Sequence, residues 1–489
     1  MENLQNLKIT KNDLGLIPSP QKLDLTEGFF TGNLSDVKKT LKSSDKELSP
    51  MEKEAYSLEV TPSSIEIIAN DEAGLFYGEM TVKQLAMIFG DKIPCLKIED
   101  KPEFEWRGFM LDCCRNFFPV EFIFKILDAI ALHKINRFHW HLTDDQGWRI
   151  PVKEYPLLTE VGAWRNDCRY TWEEKVGGFY TEDDIKAVVK KASELHITVV
   201  PEIETPGHSS SILAAYPNLG CTGGPYNVES RFGIFDDVLC SGNDDIFPLY
   251  EKVFDTVCRL FPGPYVHIGG DECPRTRWEN CPKCQQRKKD LGLETTGELQ
   301  SYLTVRFAKM LEERGKIPIG WDEVLEGTEK LGLPKSLIVQ SWRGLSGGET
   351  AAKLGHKAIM SPQTAGCYLD YKHKDTPLEP GMIGITTLEK SFEFEPTTKE
   401  MTAENKANVL GGQGNLWTEC IYSSKLAEYM IFPRLCAIAE KLWNCEGNTD
   451  YTNFLDRLNI KKKRLQKMYY LFYNCKKNIF FILLIKNYS

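Results

Sequence analysis

From Arg107 onward the chain keeps one cadence: a short apolar run, then a longer stretch with the period of an amphipathic helix. Eight such runs follow in order: "RGFML", "INRFHWHL", "ITVVPEI", "YVHIGG", "KIPIGW", "LIVQSW", "KAIMSP" and "NVLGGQG". Between them, "PVEFIFKILDAIALHK" carries Pro119 at its start. "TEDDIKAVVKKASELH" opens on a Thr cap and acids, and "ELQSYLTVRFAKMLEERG" closes on Gly315. Pro at the first turn, a Thr cap and a terminal Gly are helix punctuation with known causes. Alternation of this kind predicts βα units. Eight units over about 340 residues fit an α/β fold of the (β/α)8 TIM-barrel type with enlarged loops. A doubly wound open sheet is the rival, but its Gly-rich phosphate turn after an early strand is missing.

A small α+β N-terminal domain is expected over residues 1–101. "LIPSPQKLDLTEGFF" reads as a strand and turn, and "YSLEVTPSSIEIIAN" alternates as a hairpin. "DEAGLFYGEMTVKQLAMIF" reads as an amphipathic helix, and "EDKPEFEW" as the linker. The barrel would occupy 102–460, and a basic C-terminal tail 461–489.

The chain has 489 residues and a net charge of -9, which argues against nucleic-acid binding as its main business. Its N-terminus shows no apolar signal-peptide segment, so a cytoplasmic location is expected. The tail holds eight basic residues and the run "IFFILLI". Seven apolar residues fall short of the roughly 20 that span a bilayer, so no transmembrane span is expected. Fifteen Cys are scattered through the chain. Cys221 and Cys240 bracket one loop and could pair, with free thiols as the expected state. "CPKC" at Cys281–Cys284, near Cys273, is the nearest thing to a metal motif. It lacks a fourth nearby ligand, so no metal and no cofactor are expected.

In a TIM barrel, the residues that end the strands build the active site. The first run leads to Asp112 and Arg115, and the second to His141, Asp144 and Asp145. The third leads through Glu202 and Glu204 to His208, and the fourth delivers Asp271 and Glu272. The fifth and sixth end on Trp321 and Trp342. Tyr368 and Asp370 follow the seventh, Trp417 and Glu419 the eighth. Turn chemistry alone would favour Asn, Ser and Gly at such places. Trp faces stack on sugar rings or wall in a methyl group, and carboxylates and Arg grip hydroxyls. A carboxyl kept protonated by its surroundings can donate to a glycosidic oxygen.

The segments "RGFMLDCCRNFFP", "KINRFHWHLTDDQGWRI", "PEIETPGH", "HIGGDECP", "GWDEV", "QSW", "CYLDY" and "GGQGNLWTE" together resemble the β-N-acetylhexosaminidases of glycoside hydrolase family twenty. The resemblance runs from "IPSPQK" to about Trp443. It implies an exo-acting, retaining enzyme that releases terminal β-linked GlcNAc, with GalNAc left open, from a glycan or chito-oligosaccharide. It also implies substrate-assisted catalysis, an exception to the usual two-carboxylate scheme. By resemblance Glu272 is the acid and base, Asp271 holds the acetamido N–H, and Tyr368 holds the acetamido oxygen. Trp321, Trp342 and Trp417 wall the sugar, Arg115 grips the 3- and 4-hydroxyls, and Asp370 and Glu419 hold the outer hydroxyls. Asp144 and His208 support Glu272, whereas His141 is expected to be structural. Asn116 stands where many relatives carry His. A disaccharide-releasing lacto-N-biosidase-like enzyme and an inactive amino-sugar-binding protein are the alternatives, and a homodimer stays open.

Overall fold

The computed structural model describes residues 9–43, 46–167, 174–445, 447 and 449–465. Its centre is a closed barrel of eight parallel strands. In chain order they are Trp106–Asp112, Arg137–His141, Thr198–Thr205, Tyr265–Gly269, Ile317–Trp321, Ile338–Ser341, Ala358–Met360 and Val409–Leu416. Each falls within or around one of the eight apolar runs. Closure is made by the eighth strand on the first, with Gly411–Leu416 registered against Trp106–Leu111. The strands are buried on both faces, which is why they read as apolar runs rather than as alternating ones.

The helices start and stop where the sequence punctuates them. Thr181 caps Glu182–Glu194 in a reciprocal box with Asp184, and Thr295 does the same for Thr296–Glu312 with Glu298. Pro119 is the residue before Val120–Leu132, one place earlier than a first-turn position.

The N-terminal part forms a five-stranded sheet crossed by the helix Glu72–Phe89. The hairpin is present, Tyr56–Val60 against Ile65–Ala69. Two further strands, Lys38–Leu41 and Pro94–Asp100, carry weaker alternation, and the second takes in Glu99 and Asp100 of the expected linker. Asp100 earns that place by its partners. Lys134 Nζ lies 2.8 Å from its Oδ2, and Trp443 Nε1 donates to its Oδ1 at 2.8 Å. This buried ion pair fastens the sheet to the bottom of the barrel.

The last helix, Tyr451–Leu465, runs past the expected start of the tail. Lys461 is buried and donates to the Ile17 carbonyl and to Gln84 Oε1. The rest of the tail, with "IFFILLI", lies outside the described residues. Among the described residues no helix is long and apolar enough to cross a membrane.

Candidate active site

The fourth strand ends on Gly269 and Gly270, at φ 70° and 106°. Both angles lie where glycine alone is unstrained. A Cβ at Gly269 would also run into the Glu204 carboxyl group. The turn throws Asp271 and Glu272 into the barrel mouth, and Gln300 Nε2 holds it by donating to the Gly270 carbonyl at 2.8 Å. Glu272 itself has φ 43°, and His208, on the loop after the third strand, has φ 46°. Left-handed non-glycine residues are uncommon and cluster at functional sites.

These two residues meet. His208 Nε2 stands 3.5 Å from Glu272 Oε2 and 3.6 Å from Asp271 Oδ2. On the other side of the ring, Nδ1 donates to Asp145 Oδ2 at 3.0 Å, with Asp144 Oδ1 farther at 3.4 Å. The partner of His208 is therefore shared, and Asp145 is the nearer. Asp144 is turned toward Arg115, 2.9 Å away, and toward His141 Nε2, 2.9 Å away. Asp145 in turn accepts from the backbone and hydroxyl of Ser210. Burial disfavours charge on His208, but the carboxylates of Asp144 and Asp271 outweigh it and hold the imidazolium well above its ordinary pKa. Burial pushes Asp271 up to about 6. His208 opposes the shift, and Glu272, Glu202 and Asp144 add to it.

Arg115 sits among three carboxylates: Asp144, Asp112 at 3.2 Å and Glu419 at 3.8 Å. Its Nε donates to Gln146, and its guanidinium lies 5.0 Å from the Trp417 ring centroid. Asp112 also accepts from the Thr418 backbone, and Asn116 donates to the Thr418 carbonyl. The loops after the first and eighth strands are thus laced together behind Arg115. Burial raises the pKa of both Asp370 and Glu419. The charge of Glu419 adds to the rise at Asp370, whereas at Glu419 Arg115 opposes the rise and Asp112 adds to it.

The aromatic residues form one cluster. Met110, Trp321, Tyr368 and Trp417 pack together, with Trp342 and Tyr371 against them. Trp342 and Tyr368 are stacked at 6.3 Å and 14°, and Trp321 and Trp417 meet at 5.8 Å. Two carboxylates aim these rings. Trp321 Nε1 donates to Glu202 Oε1 at 2.8 Å, and Trp342 Nε1 donates to Glu323 Oε2 at 2.8 Å. Glu323 was not singled out in the sequence, although it follows Trp321 by two residues in "GWDEV". Burial pushes its pKa up to about 9, and the charges of Asp271 and Asp322 add to the shift.

Beneath the rings, Glu202 is the hub of the barrel interior. His139 Nε2 and His267 Nδ1 each lie 2.9 Å from it, and His141 Nδ1 is bonded to it as well. Burial opposes charge on His141, but Glu202 and Asp144 overcome it and lift its pKa to about 10. Burial holds His139 down at about 4. Beside Glu272 the pocket opens into a cleft of ≈ 380 Å³ walled by Arg275, Gln300, Glu323, Glu326 and Ile234. Glu323 thus links the two, bonded to Trp342 of the ring cluster and lining the open cleft beside Glu272.

Fold and site together define a (β/α)8 barrel with an acid-lined, aromatic-walled pocket at the carboxyl ends of its strands, the architecture of a sugar-binding hydrolase. Residues 104–446 match the model of the glycosyl hydrolase family 20 catalytic domain, and residues 31–101 match that family's domain 2. The chain belongs to glycosyl hydrolase family 20. It is 44% identical over 420 residues to a beta-hexosaminidase of Porphyromonas gingivalis, covering 84% of this chain and 53% of that one. It is 33% identical over 457 residues to a beta-hexosaminidase of Akkermansia muciniphila, covering 91% of this chain and 88% of that one. The GH20 exo beta-N-acetylglucosaminidase of Vibrio harveyi, solved in complex with N-acetylglucosamine, superposes with a TM-score of 0.85 at 29% identity. That match covers 95% of this chain and 79% of the other. The chain spans about half the length of the P. gingivalis relative.

Proposed function

We propose that this chain is an exo-acting, retaining β-N-acetylhexosaminidase that releases terminal non-reducing β-linked GlcNAc by substrate-assisted catalysis. One observation carries this reading. Asp271 and Glu272 converge on a single nitrogen, His208 Nε2, from one strand end. Two such acids are poorly placed to flank a ring from opposite faces, as an acid and a protein nucleophile must. The nucleophile is then the sugar's own 2-acetamido oxygen.

In the first step that oxygen attacks C1, the bond from C1 to the leaving oxygen breaks, and Glu272 gives its proton to the leaving oxygen. Asp271 accepts the acetamido N–H and stabilises the positive charge that spreads over the oxazoline-like ring. The Tyr368 hydroxyl donates to the acetamido oxygen and sets its line of attack. In the second step Glu272 takes a proton from water as that water attacks C1 and the ring opens. Two displacements at C1 return the β configuration. Fixing an intramolecular nucleophile in this way contributes on the order of 7 kcal/mol or more in ideal cases.

Trp321, Trp342 and Trp417 wall the acetamido group and ring. Arg115 binds the 3- and 4-hydroxyls, with Asp370 and Glu419 on the outer hydroxyls. His208, held by Asp145 and Asp144, supports the charge state of the Asp271–Glu272 pair. The aglycone lies in the open cleft beyond Glu272. A panel of chromogenic GlcNAc, GalNAc and glucose β-glycosides tests the reading. Rapid cleavage of the first with almost none of the glucoside is expected, and efficient hydrolysis of the glucoside would sink it.

A further inference from the structure

Four cysteines that are scattered in sequence meet in space. The sulfurs of Cys221, Cys240, Cys281 and Cys284 all lie within 4.8 Å of one another. Three of the contacts are resolved: Cys221–Cys284 at 3.8 Å, Cys240–Cys281 at 3.8 Å and Cys240–Cys284 at 3.5 Å. A tetrahedral zinc with bonds of about 2.3 Å to four sulfurs has S···S edges of about 3.8 Å. A disulfide needs about 2.05 Å. The three resolved spacings are close to the edges of a ZnS4 tetrahedron and far from a disulfide. Against the sequence expectation of no metal, the "CPKC" pair thus gains two further ligands, Cys221 and Cys240, from a distant loop, and Cys273 is not among the four.

The surroundings suit a thiolate-bound cation. Cys281 is the cap of the helix Pro282–Asp290, and Cys284 stands in its first turn. A helix start offers unpaired N–H groups and positive potential to thiolates. Cys240, Cys281 and Cys284 are buried. Gly242 lies so near the Lys283–Cys284 backbone that a Cβ there would collide with it, so the two loops are pressed together at this point.

We propose that Cys221, Cys240, Cys281 and Cys284 form a structural zinc site that clamps the loop after the third barrel strand to the loop after the fourth. Four protein ligands leave no open position, so the metal does no chemistry on substrate. Its effect is mechanical. Cys221 and Cys240 close the base of the segment between them, where Gly220 bridges Leu239 and Cys240 N–H donates to the Leu219 carbonyl at 2.9 Å. That segment carries Ile234 to the wall of the cleft beside Glu272. Its Leu239 carbonyl accepts from Trp278 Nε1 at 2.9 Å, on the other loop. The clamp therefore joins the loop that bears His208 to the loop that bears Asp271 and Glu272.

The test is metal analysis of the full chain, expressed with zinc and purified under reducing conditions. One zinc per chain is expected, retained in Cys258→Ser and lost in Cys240→Ser and Cys284→Ser. Since those two variants can fail to fold, cobalt is exchanged into the wild-type chain as a second readout. Sulfur-to-cobalt charge-transfer bands with intense tetrahedral ligand-field bands support four thiolates, whereas weak octahedral bands overturn them. Removal of the metal by a chelator should lower the unfolding temperature by roughly 5 °C or more. Metal-free protein with four reactive thiols, or a mass showing two disulfides among these residues, would also overturn the site. None of these readouts depends on which sugar is cleaved.

Discussion

His208 and Glu272 face each other at 3.5 Å across the mouth of the barrel, and both hold left-handed backbone angles, φ 46° and φ 43°. Neither is glycine, so each turn carries strain of about 1–3 kcal/mol that the packed loops around it sustain. These turns aim the imidazole and the carboxyl group at one point.

Replacing Glu272 with Gln removes the proton that the leaving oxygen needs while keeping the side chain's shape. The kcat for an alkyl or sugar leaving group should fall about 10²–10⁴-fold, the usual contribution of general acid catalysis. KM should change little, and a nitrophenyl leaving group should suffer less. Steady-state kinetics on both substrates checks this.

Asp271 must be ionised to support the acetamido cation, and its carboxyl is raised to about 6 by burial and neighbouring acids. A raised carboxyl pKa means protonation, and loss of function, already at mildly acidic pH. The kcat/KM profile should therefore bend downward below about pH 6. Asp271→Asn should be slow at every pH and should lack that bend.

Glu323 gives a contrast between two substitutions. Its carboxyl, raised to about 9, is neutral at pH 7, and its oxygen accepts from Trp342 Nε1. Glu323→Gln keeps a neutral acceptor, so KM should shift by less than about twofold. Glu323→Ala frees the ring, and loss of a buried hydrogen bond worth about 1–2 kcal/mol should raise KM about 5–30-fold. Equal effects of the two variants would exclude an anchoring role.

Glu202 is a stability residue beneath the site. Glu202→Gln removes the charge that balances a buried His141, and breaking a buried pair costs about 3–5 kcal/mol. Denaturant unfolding should show a loss of that order, and the change should disturb Trp321, whose N–H it accepts. A near-neutral result would mean that His141 is uncharged.

The fold was legible because a barrel strand is a local object. Each of the eight runs, such as "YVHIGG", is an apolar stretch bounded by turn residues, and each found its place in the closed sheet. The polar and aromatic residues at the strand ends were legible for the same reason, since barrel geometry sends every strand's carboxyl end to one face. Partners were not legible. Asp144 and Asp145 are adjacent in sequence, and only the turn between them decides that Asp145 is nearer His208 while Asp144 faces Arg115. Nor does any local pattern connect Cys221 and Cys240 to Cys281 and Cys284, or Glu202 to Trp321, 119 residues on. Sequence periodicity determined the elements and which face the site occupies. Contacts between loops of different strands, set by the packing of the whole barrel, decided which side chains meet, because distance along the chain says nothing of distance across it.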